Sequence, residues 1–288
     1  MFNLIHLKVL AAVARNGSVT EAARELHYSQ PSASHHLSRL EAATGVKLVQ
    51  RVGRGIRLTP EGQLLANRAI EIIGRIDAAA SELAAQAELR TGRVRLAANA
   101  SVLSTIVPRA AAVLAESHPG LELQVIEQHP IEALQQLREG EIDAALVFRH
   151  AHAPLADEEF RLVPVGQDQI HLLSREPDDS VDHHRESAWI GGCERCQNEL
   201  TAICAQRGFA PRIQSMSDDI VVVQALVAAG VGVAIIPGYA LQAHHRPGVQ
   251  ATPIPEAIRQ IHVATYGDPP DPPATTALIE AIRTSVQT

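Results

Sequence analysis

Residues 18–41 carry the pattern that most constrains the fold, because it predicts two short helices joined by a tight turn. Ser18 precedes the first helix and can accept a hydrogen bond from the free backbone N–H groups of its first turn. Ser29 can cap the second helix in the same way, and Pro31 in the first turn removes an N–H that has no helical partner. Apolar residues recur at helical spacing in both segments, namely Ala22, Ala23, Leu26, Ala33, Leu37 and Leu40. The segment therefore predicts a helix-turn-helix.

The second of these helices also presents a polar face. Its short hydroxyls lie beside polar and cationic tips, which can contact phosphates and base edges in a major groove without steric bulk. A helical hairpin with a merely solvated polar face is the alternative. We expect the face to contact double-stranded DNA through Ser29, Gln30, Ser32, Ser34, His35 and Arg39.

Residues 48–58 predict a β-hairpin that turns at two glycines, which permit the positive φ of a tight turn. Arg51, Arg54 and Arg57 cluster at its tip. Guanidinium groups bind phosphate bidentately and enter narrow minor grooves. The hairpin is therefore predicted to be a wing beside the helix-turn-helix, with Arg51 and Arg54 in contact with DNA.

The charge is divided between the two ends of the chain. Residues 1–59 hold eight Lys or Arg and three acids, a net charge of +5, whereas the remainder holds 17 against 29, a net charge of −12. A basic head concentrates attraction for phosphate in one module, while DNA repels the acidic body. The overall net charge of −7 thus does not argue against a nucleic-acid partner.

In these features the chain resembles the LysR-type transcriptional regulators. The matching stretches are residues 7–15, 17–18, 22–26, 29–34 and 58–62. The resemblance implies a regulator that binds a partly palindromic operator as a dimer or tetramer, with RNA polymerase as a possible further partner. His35 and His36 depart from the family, which often has a basic residue and Gln there. Because neutral His carries no charge, groove contacts at these positions should be weaker and more dependent on pH.

The implied fold class is α/β, in three parts. Residues 1–59 form the winged helix-turn-helix, residues 60–91 a long linker helix and hinge, and residues 92–288 a two-lobed Rossmann-like domain similar to periplasmic binding proteins. Residues 61–89 lack Pro and are rich in Ala, with one apolar stripe made of Leu65, Ile72, Ile76, Leu83 and Ala87. By the resemblance this helix dimerises, the alternative being that it packs on its own body. Thr91 and Gly92 would form the hinge.

From residue 93 the periodicity alternates between strands and helices, as in a parallel α/β sheet. The first set predicts strands at 93–98, 121–127 and 142–148 and helices at 104–117 and 131–140. The second begins at Phe160, with strands at 169–173, 212–215 and 232–236 and helices at 196–207 and 219–229. A strand at 261–266 and a helix at 273–286 return the chain. We expect lobe I to hold residues 92–160 and 267–288, and lobe II residues 161–266.

A cleft is expected beyond the carboxyl ends of these strands, where ligands bind in such sheets. The resemblance implies that a small effector lies there, with Ser101 as a polar contact and Arg149 as a counter-charge. Helix capping is the alternative role for Ser101. Asp218 and Asp219 would disfavour a strongly anionic effector unless they only cap the next helix. The predicted effector contacts are Asn99, Ser101, Val102, Phe148, Arg149, Gly192, Cys193 and Asp218.

The sequence allows three interpretations of the three cysteines. Cys193 and Cys196 form a CxxC pattern and Cys204 follows. Zinc with His183 and His184 is one possibility, although no second matched pair is present. A thiol switch is another, since the stretch resembles in position the sensing region of the peroxide-responsive branch of the family. Cys204 matches its resolving cysteine there, but Arg195 occupies the sensing position. Buried, unreactive cysteines are the third interpretation, and a metabolite effector is the expectation.

Other classes of function find little support. Residues 230–232 are too short for a dinucleotide fingerprint, and no Ser, His and Asp set stands out, so we expect neither an enzyme nor a cofactor. A solute-binding protein would need a secretion signal, but residues 1–15 predict an amphipathic helix. No apolar run is long enough to span a membrane. These features lead us to expect a cytoplasmic protein.

Overall fold

The structure is a computed structural model that describes residues 2–52, 55–87, 92–150, 159–267 and 269–286. The chain divides into two compact units. Residues 1–84 together with 135–141 form the first, and residues 85–134 together with 142–288 form the second.

The first unit contains the predicted winged helix-turn-helix and the linker helix. Its elements are α1 (Leu4–Asn16), α2 (Val19–Glu25), α3 (Gln30–Thr44), β1 (Val49–Val52), β2 (Gly55–Leu58) and α4 (Pro60–Ala87). The predicted caps are confirmed, because Ser18 Oγ accepts from the Glu21 N–H at 3.5 Å and Ser29 Oγ from the Ser32 N–H at 3.4 Å. The apolar faces of α1, α2 and α3 meet in one core with Leu48, Ala66 and Ala69.

The hairpin of β1 and β2 is antiparallel, with Val49 opposite Leu58. Glu41 fixes the base of this hairpin, because the Glu41 carboxylate accepts a hydrogen bond from the Leu48 N–H at 3.0 Å. The start of α4 packs so closely on Leu48 that a β-carbon at Gly62 would clash with the Leu48 carbonyl oxygen. The predicted wing tip lies outside this description, since Arg54 and the side chain of Arg51 are not among the described parts of the chain.

The linker helix α4 spans Pro60–Ala87 in the described part of the chain. Leu65 packs on the core of the first unit, whereas Ile72 and Ile76 are 41% and 44% exposed in the single chain. The predicted stripe therefore divides into a part that packs within the unit and a part that is uncovered. Thr91 of the predicted hinge and the side chains of Leu83 and Ala87 lie outside the described residues.

The second unit is built on one mixed sheet flanked by helices. Its elements are β3 (Gly92–Ala98), α5 (Ala100–Leu103), α6 (Ile106–Ser117), β4 (Leu121–Glu127), α7 (Pro130–Arg138), β5 (Ala144–Arg149), β6 (Phe160–Ser174), β7 (Ala188–Gly191), α8 (Glu194–Gln206), β8 (Arg212–Met216), α9 (Ile220–Ala228), β9 (Val233–Pro237), α10 (Gly238–Ala243), β10 (Gln250–Tyr266) and α11 (Pro273–Val286). The last residues of α7, from 135 onwards, belong to the first unit. A 3₁₀ turn spans Val181–His184.

The strand order is β4-β3-β5-β10-β6-β9-β7-β8. Three parallel strands lie at each end, and the long antiparallel pair β6 and β10 joins them. Each group of parallel strands has its own apolar core, so the predicted two-lobed α/β architecture is confirmed. Val163, Ile261 and Val263 pack in the core of lobe I, whereas Ile170 and Ile254 pack in lobe II. The chain therefore crosses between lobes inside β6 and β10, and not at the predicted limits of 161 and 266.

Two further elements differ from the prediction. The helix expected at 104–117 begins later, at Ile106, because Thr105 leaves helical geometry and its hydroxyl donates to the Ser101 carbonyl at 2.7 Å. The final strand begins at Gln250 and not at Ile261. Pro253 and Pro255 weaken any strand pattern there, since Pro cannot donate to a ladder. The pairing with β6 accordingly shifts register between Pro253 and Ile258.

Candidate functional site

A cavity of about 390 Å³ lies in the second unit where strands of both lobes end. It is lined from lobe I by residues at or just after the ends of β3, β4 and β5. From lobe II it is lined by residues at or just after the ends of β7 and β9, and by residues before and within α9. Six of the predicted effector contacts line it, namely Asn99, Ser101, Phe148, Gly192, Cys193 and Asp218.

Val102 and Arg149 do not line the cavity. Val102 is buried in the core of lobe I, one position after Ser101 on a short helix. Arg149 follows Phe148 on β5, so the alternation of strand side chains directs it to the opposite face. Its charge there contributes, after burial, to lowering the pKa of His262. The structure therefore corrects the expectation that Arg149 supplies a counter-charge in the cleft.

Arg259 is the cation at the cavity, and sequence reasoning did not find it. It lies on the part of β10 that crosses between lobes, and only 2% of it is exposed. Its Nε and Nη2 lie 2.8 Å and 2.6 Å from Asp168 Oδ2, on the neighbouring strand β6. Its guanidinium also lies over the ring of Phe148, 4.8 Å from the centroid. A buried cation is thus held by a carboxylate and an aromatic face.

Asp168 is fixed from its other side. Its Oδ1 accepts from the Tyr239 N–H at 3.0 Å, at the start of α10. This approach requires glycine at 238, because a β-carbon there would lie 2.9 Å from Asp168 Oδ1. The ion pair is therefore anchored to β6, β10 and α10. Asp168 and Arg259 lie just before the predicted strands at 169–173 and 261–266, and opposite charges at these two strand starts are the signal that could have indicated this network.

Ser101 joins the network to lobe I. Its hydroxyl accepts from Arg259 Nη2 at 2.7 Å and from Asn99 Nδ2 at 2.8 Å. It lies inside α5, and Asn99 at the N-cap makes no side-chain capping bond, so the structure does not support the capping alternative for Ser101. The Asn99 carboxamide oxygen is buried and has no hydrogen-bond partner among the described residues. That end of the amide is available to a ligand in the cavity.

The two acids before α9 have different positions. Asp219 caps the helix, accepting from the N–H groups of Val221 and Val222 at 2.8 Å and 3.1 Å. Asp218 lines the cavity, with Oδ2 3.6 Å from Nε2 of His129 on lobe I. Glu127, the last residue of β4, lines it as well. The opening of the cavity therefore carries carboxylates, while its one lining Arg among the described residues is already paired.

Cys193 and Cys196 also line the cavity, with their sulfur atoms 3.1 Å apart. Cys193 is the N-cap of α8. The hydrogen bond from the Cys196 thiol lowers the pKa of Cys193 to about 6 against the effect of burial, and the same interaction raises the pKa of Cys196. Cys204 is buried in lobe II, which raises its pKa to about 11. His183 and His184 both contact Asp179, so the proposed zinc partners are engaged elsewhere.

On the first unit, the residues predicted to contact DNA lie on α3 or at its N-cap, and none of them is buried. Ser29, Gln30, His35 and Arg39 are exposed, Ser32 and Ser34 are partly exposed, and Gln30 Nε2 donates to Ser34 Oγ at 3.0 Å. His36 turns inward, with its ring 5.3 Å from that of His6 and 5.4 Å from that of Tyr28.

The sequence matches two family models that together span nearly the whole chain. Residues 4–63 match the bacterial regulatory helix-turn-helix protein of the lysR family, and residues 87–287 match the LysR substrate binding domain. The chain belongs to the LysR family. It is accordingly a DNA-binding transcriptional regulator with a substrate-binding domain.

Several relatives of this LysR-type regulator have been named. The uncharacterised regulator YusT of Bacillus subtilis is 26% identical over 88% of this chain and 86% of its own length. A probable hydrogen peroxide-inducible genes activator of Mycobacterium xenopi is 34% identical over 57% of this chain and 90% of its own.

Solved structures show the same fold. The crystal structure of CbnR, a LysR family transcriptional regulator, is 21% identical, covers 100% of both chains and has a TM-score of 0.71. CbnR complexed with its target DNA has a TM-score of 0.69 at 22% identity, over 99% of this chain and 100% of that one. In the present regulator, no helix among the described residues has the length and apolar character needed to cross a membrane.

Proposed function

We propose that this LysR-type regulator is controlled by a small molecule bound in the cavity between its two lobes. The observation that carries the proposal is that lobe I and lobe II both line this cavity. A ligand held there contacts both lobes, so its affinity depends on their spacing. Such a differential affinity is what allows an effector to shift an equilibrium between two states.

The lining indicates which chemical class fits. Its walls are largely aliphatic, with Ile190, Leu200 and Val223 among them. Arg259 is neutralised by Asp168, whereas Asp218 and Glu127 add negative charge at the opening. A dicarboxylate would meet repulsion without a free counter-charge. The cavity therefore favours a compact, mainly apolar molecule that is neutral or carries an amine, with one polar group placed against the free end of the Asn99 amide.

For DNA, we propose that α3 reads the major groove and that the hairpin contacts phosphate. The exposed hydroxyl, amide and cationic groups of α3 support this orientation, as does the net charge of +5 on residues 1–59. That CbnR has been solved with its target DNA is consistent with the same use of the fold. Exposed Ile72 and Ile76 support pairing of α4 with a second copy, and hence a dimer or tetramer on a partly palindromic operator.

A thermal-shift screen of the full chain tests the effector proposal. The panel contains neutral aromatic and aliphatic compounds, amines and dicarboxylates of similar size. A ligand that binds only the folded state raises the melting temperature by mass action, so a hit at 100 times its dissociation constant adds about 2.7 kcal/mol. We expect hits among neutral or basic compounds, and loss of the hit when the cavity is filled by Gly192→Leu. Hits confined to dicarboxylates, or unaffected by that substitution, would contradict the assignment.

A further inference from the structure

Three histidines meet on the first unit, where α1 packs against α3. The centroid of the His36 ring lies 5.3 Å from that of His6 and 6.2 Å from that of His35. Tyr28, from the turn after α2, lies 5.4 Å from the same ring. His35 is exposed on the predicted DNA face, whereas His6 and His36 are partly buried. Because histidine changes charge between about pH 5 and pH 8, the charge of this cluster varies near neutral pH.

A protonated cluster is unfavourable in the free protein. Burial lowers the pKa of His6, and the charges of His36, Arg39 and His35 lower it further, in that order. The Nδ1 atom of His36 is buried without a hydrogen-bond partner among the described residues, and Nε2 lies 3.5 Å from Ser32 Oγ. A protonated imidazole donates from both nitrogens, so one donor of His36 would stay unsatisfied. The free protein therefore favours neutral rings.

The acids of the same module are engaged with other cations. Residues 1–59 contain three acids, and each forms an ion pair: Glu21 with Arg24, Glu25 with Arg15 and Glu41 with Lys47. The titratable groups in ring contact with His36 are His6 from α1, Tyr28 from the turn and His35 from α3 itself. Counter-charge for a protonated cluster is therefore best supplied by a bound polyanion. The phosphates of DNA provide it.

We propose that His6, His35 and His36 take up protons when the first unit binds DNA, so that binding strengthens as the pH falls from about 8 to about 6. The inference rests on the proposed use of α3 as the helix that contacts DNA. His35 and Arg39 are exposed and one helical turn apart, so phosphates that approach Arg39 also approach the cluster. Their attraction favours the charged rings in the complex. By linkage, each proton taken up lowers the affinity by up to about tenfold per unit rise in pH.

The stability of the fold responds to pH with the opposite sign. The pKa of His6 is lower in the folded than in the unfolded chain, so the unfolded chain binds the proton more tightly. The first unit therefore loses stability as the pH falls through the unfolded value of 6.5. A rise in DNA affinity at low pH cannot come from a more stable free unit. It would instead report protons that are bound in the complex.

Binding of the full chain to a long mixed-sequence duplex at constant low salt tests the proposal and requires no known operator. Fluorescence anisotropy gives the affinity across the range from about pH 6 to about pH 8. Calorimetry at neutral pH, in phosphate and in Tris, gives the protons taken up, because the two buffers differ in ionisation enthalpy. We expect proton uptake and an affinity that increases towards low pH. An affinity independent of pH, or proton release, would overturn the linkage and leave the DNA interface standing. Absence of binding throughout the range would contradict both.

Variants of the cluster assign the protons to these rings. His36→Gln and His6→Gln each remove a titrating ring and keep a polar side chain. Each should reduce the number of protons taken up and the dependence of affinity on pH, and the double variant should reduce both further. His118→Gln is the matched control, because His118 is exposed and lies in the second unit, and it should match the parent.

Circular dichroism at each pH checks that the variants are folded. If His36→Gln does not fold, His35→Gln gives the same comparison, because the His35 side chain is exposed. Proton uptake that is equal in the parent and in all of the folded cluster variants would overturn the assignment. A reduction by His118→Gln as large as that by the cluster variants would do the same.

Discussion

The guanidinium of Arg259 donates a 2.7 Å hydrogen bond to the hydroxyl of Ser101, across 158 positions of sequence. Ser101 lies after the first strand of lobe I, and Arg259 lies where β10 passes between the lobes. Both groups are buried, so the bond is protected from competition by water. This contact, together with the Asp168 pair, links the wall of the effector cavity to the strands that join the two lobes.

Removing Arg259 should strongly destabilise the second unit. In Arg259→Ala the Asp168 carboxylate stays buried without its counter-ion, which costs about 3–5 kcal/mol. Ser101→Ala removes one hydrogen bond and should cost about 1 kcal/mol. Urea unfolding followed by the fluorescence of Trp189, the single Trp of the chain and a core residue of lobe II, measures both. Equal stability of Arg259→Ala and Ser101→Ala would show that the ion pair is not a structural requirement.

Asn99 should affect the effector response more than Arg149 does. Once a ligand has been found by thermal shift, Asn99→Ala should raise the concentration for half-maximal response about 2–10-fold, as expected for one lost hydrogen bond. Arg149→Ala is the matched control, because Arg149 adjoins a cavity residue on the same strand but does not line the cavity. Operator affinity in the absence of ligand is measured in parallel. A larger effect from Arg149 than from Asn99 would contradict the proposed site.

The recognition helix and the wing should contribute differently to DNA binding. Gln30→Ala should lose about 1–3 kcal/mol on the operator, because it removes a base contact, and little on a scrambled duplex. Arg51→Ala should weaken both duplexes and reduce the slope of log affinity against log salt by about 0.9, as one lost phosphate contact requires. Titrations at several salt concentrations distinguish the two. If Gln30→Ala reduced binding to both duplexes equally, α3 would only position the backbone.

The exposed apolar face of α4 should form the contact between subunits. Ile72→Asp and Ile76→Asp place a charge on this face, and each should shift the sedimentation profile towards monomer at micromolar concentration. Asn67→Asp, an exposed position on the far side of the same helix, should leave the profile unchanged. Dimers that persist in both Ile variants would place the interface elsewhere.

Much of the secondary structure and packing of the first unit could be predicted from short-range sequence patterns. Ser18 and Ser29 cap their helices as expected, and Ala33 and Leu37 are buried on the predicted face of α3. These features depend on residues within one or two turns of each other, which sequence spacing reports directly. The same reasoning identified the strands and helices of both lobes and six residues of the cavity wall, because in parallel sheets the ligand site lies at the strand ends.

Which polar groups meet in the cavity depends on strand pairing, which the sequence pattern does not report. Arg149 and Arg259 both lie on strands, but pairing between β5, β10 and β6 directs Arg259 to Asp168 and leaves Arg149 on the other face. The contact of Cys193 with Cys196 likewise depends on where α8 begins, two residues earlier than predicted. Most elements, the fold class and the family could thus be predicted from the sequence. The register of the strands and the first residue of each helix decide which side chains meet. The sequence pattern does not report them, because both depend on contacts between segments far apart in the chain.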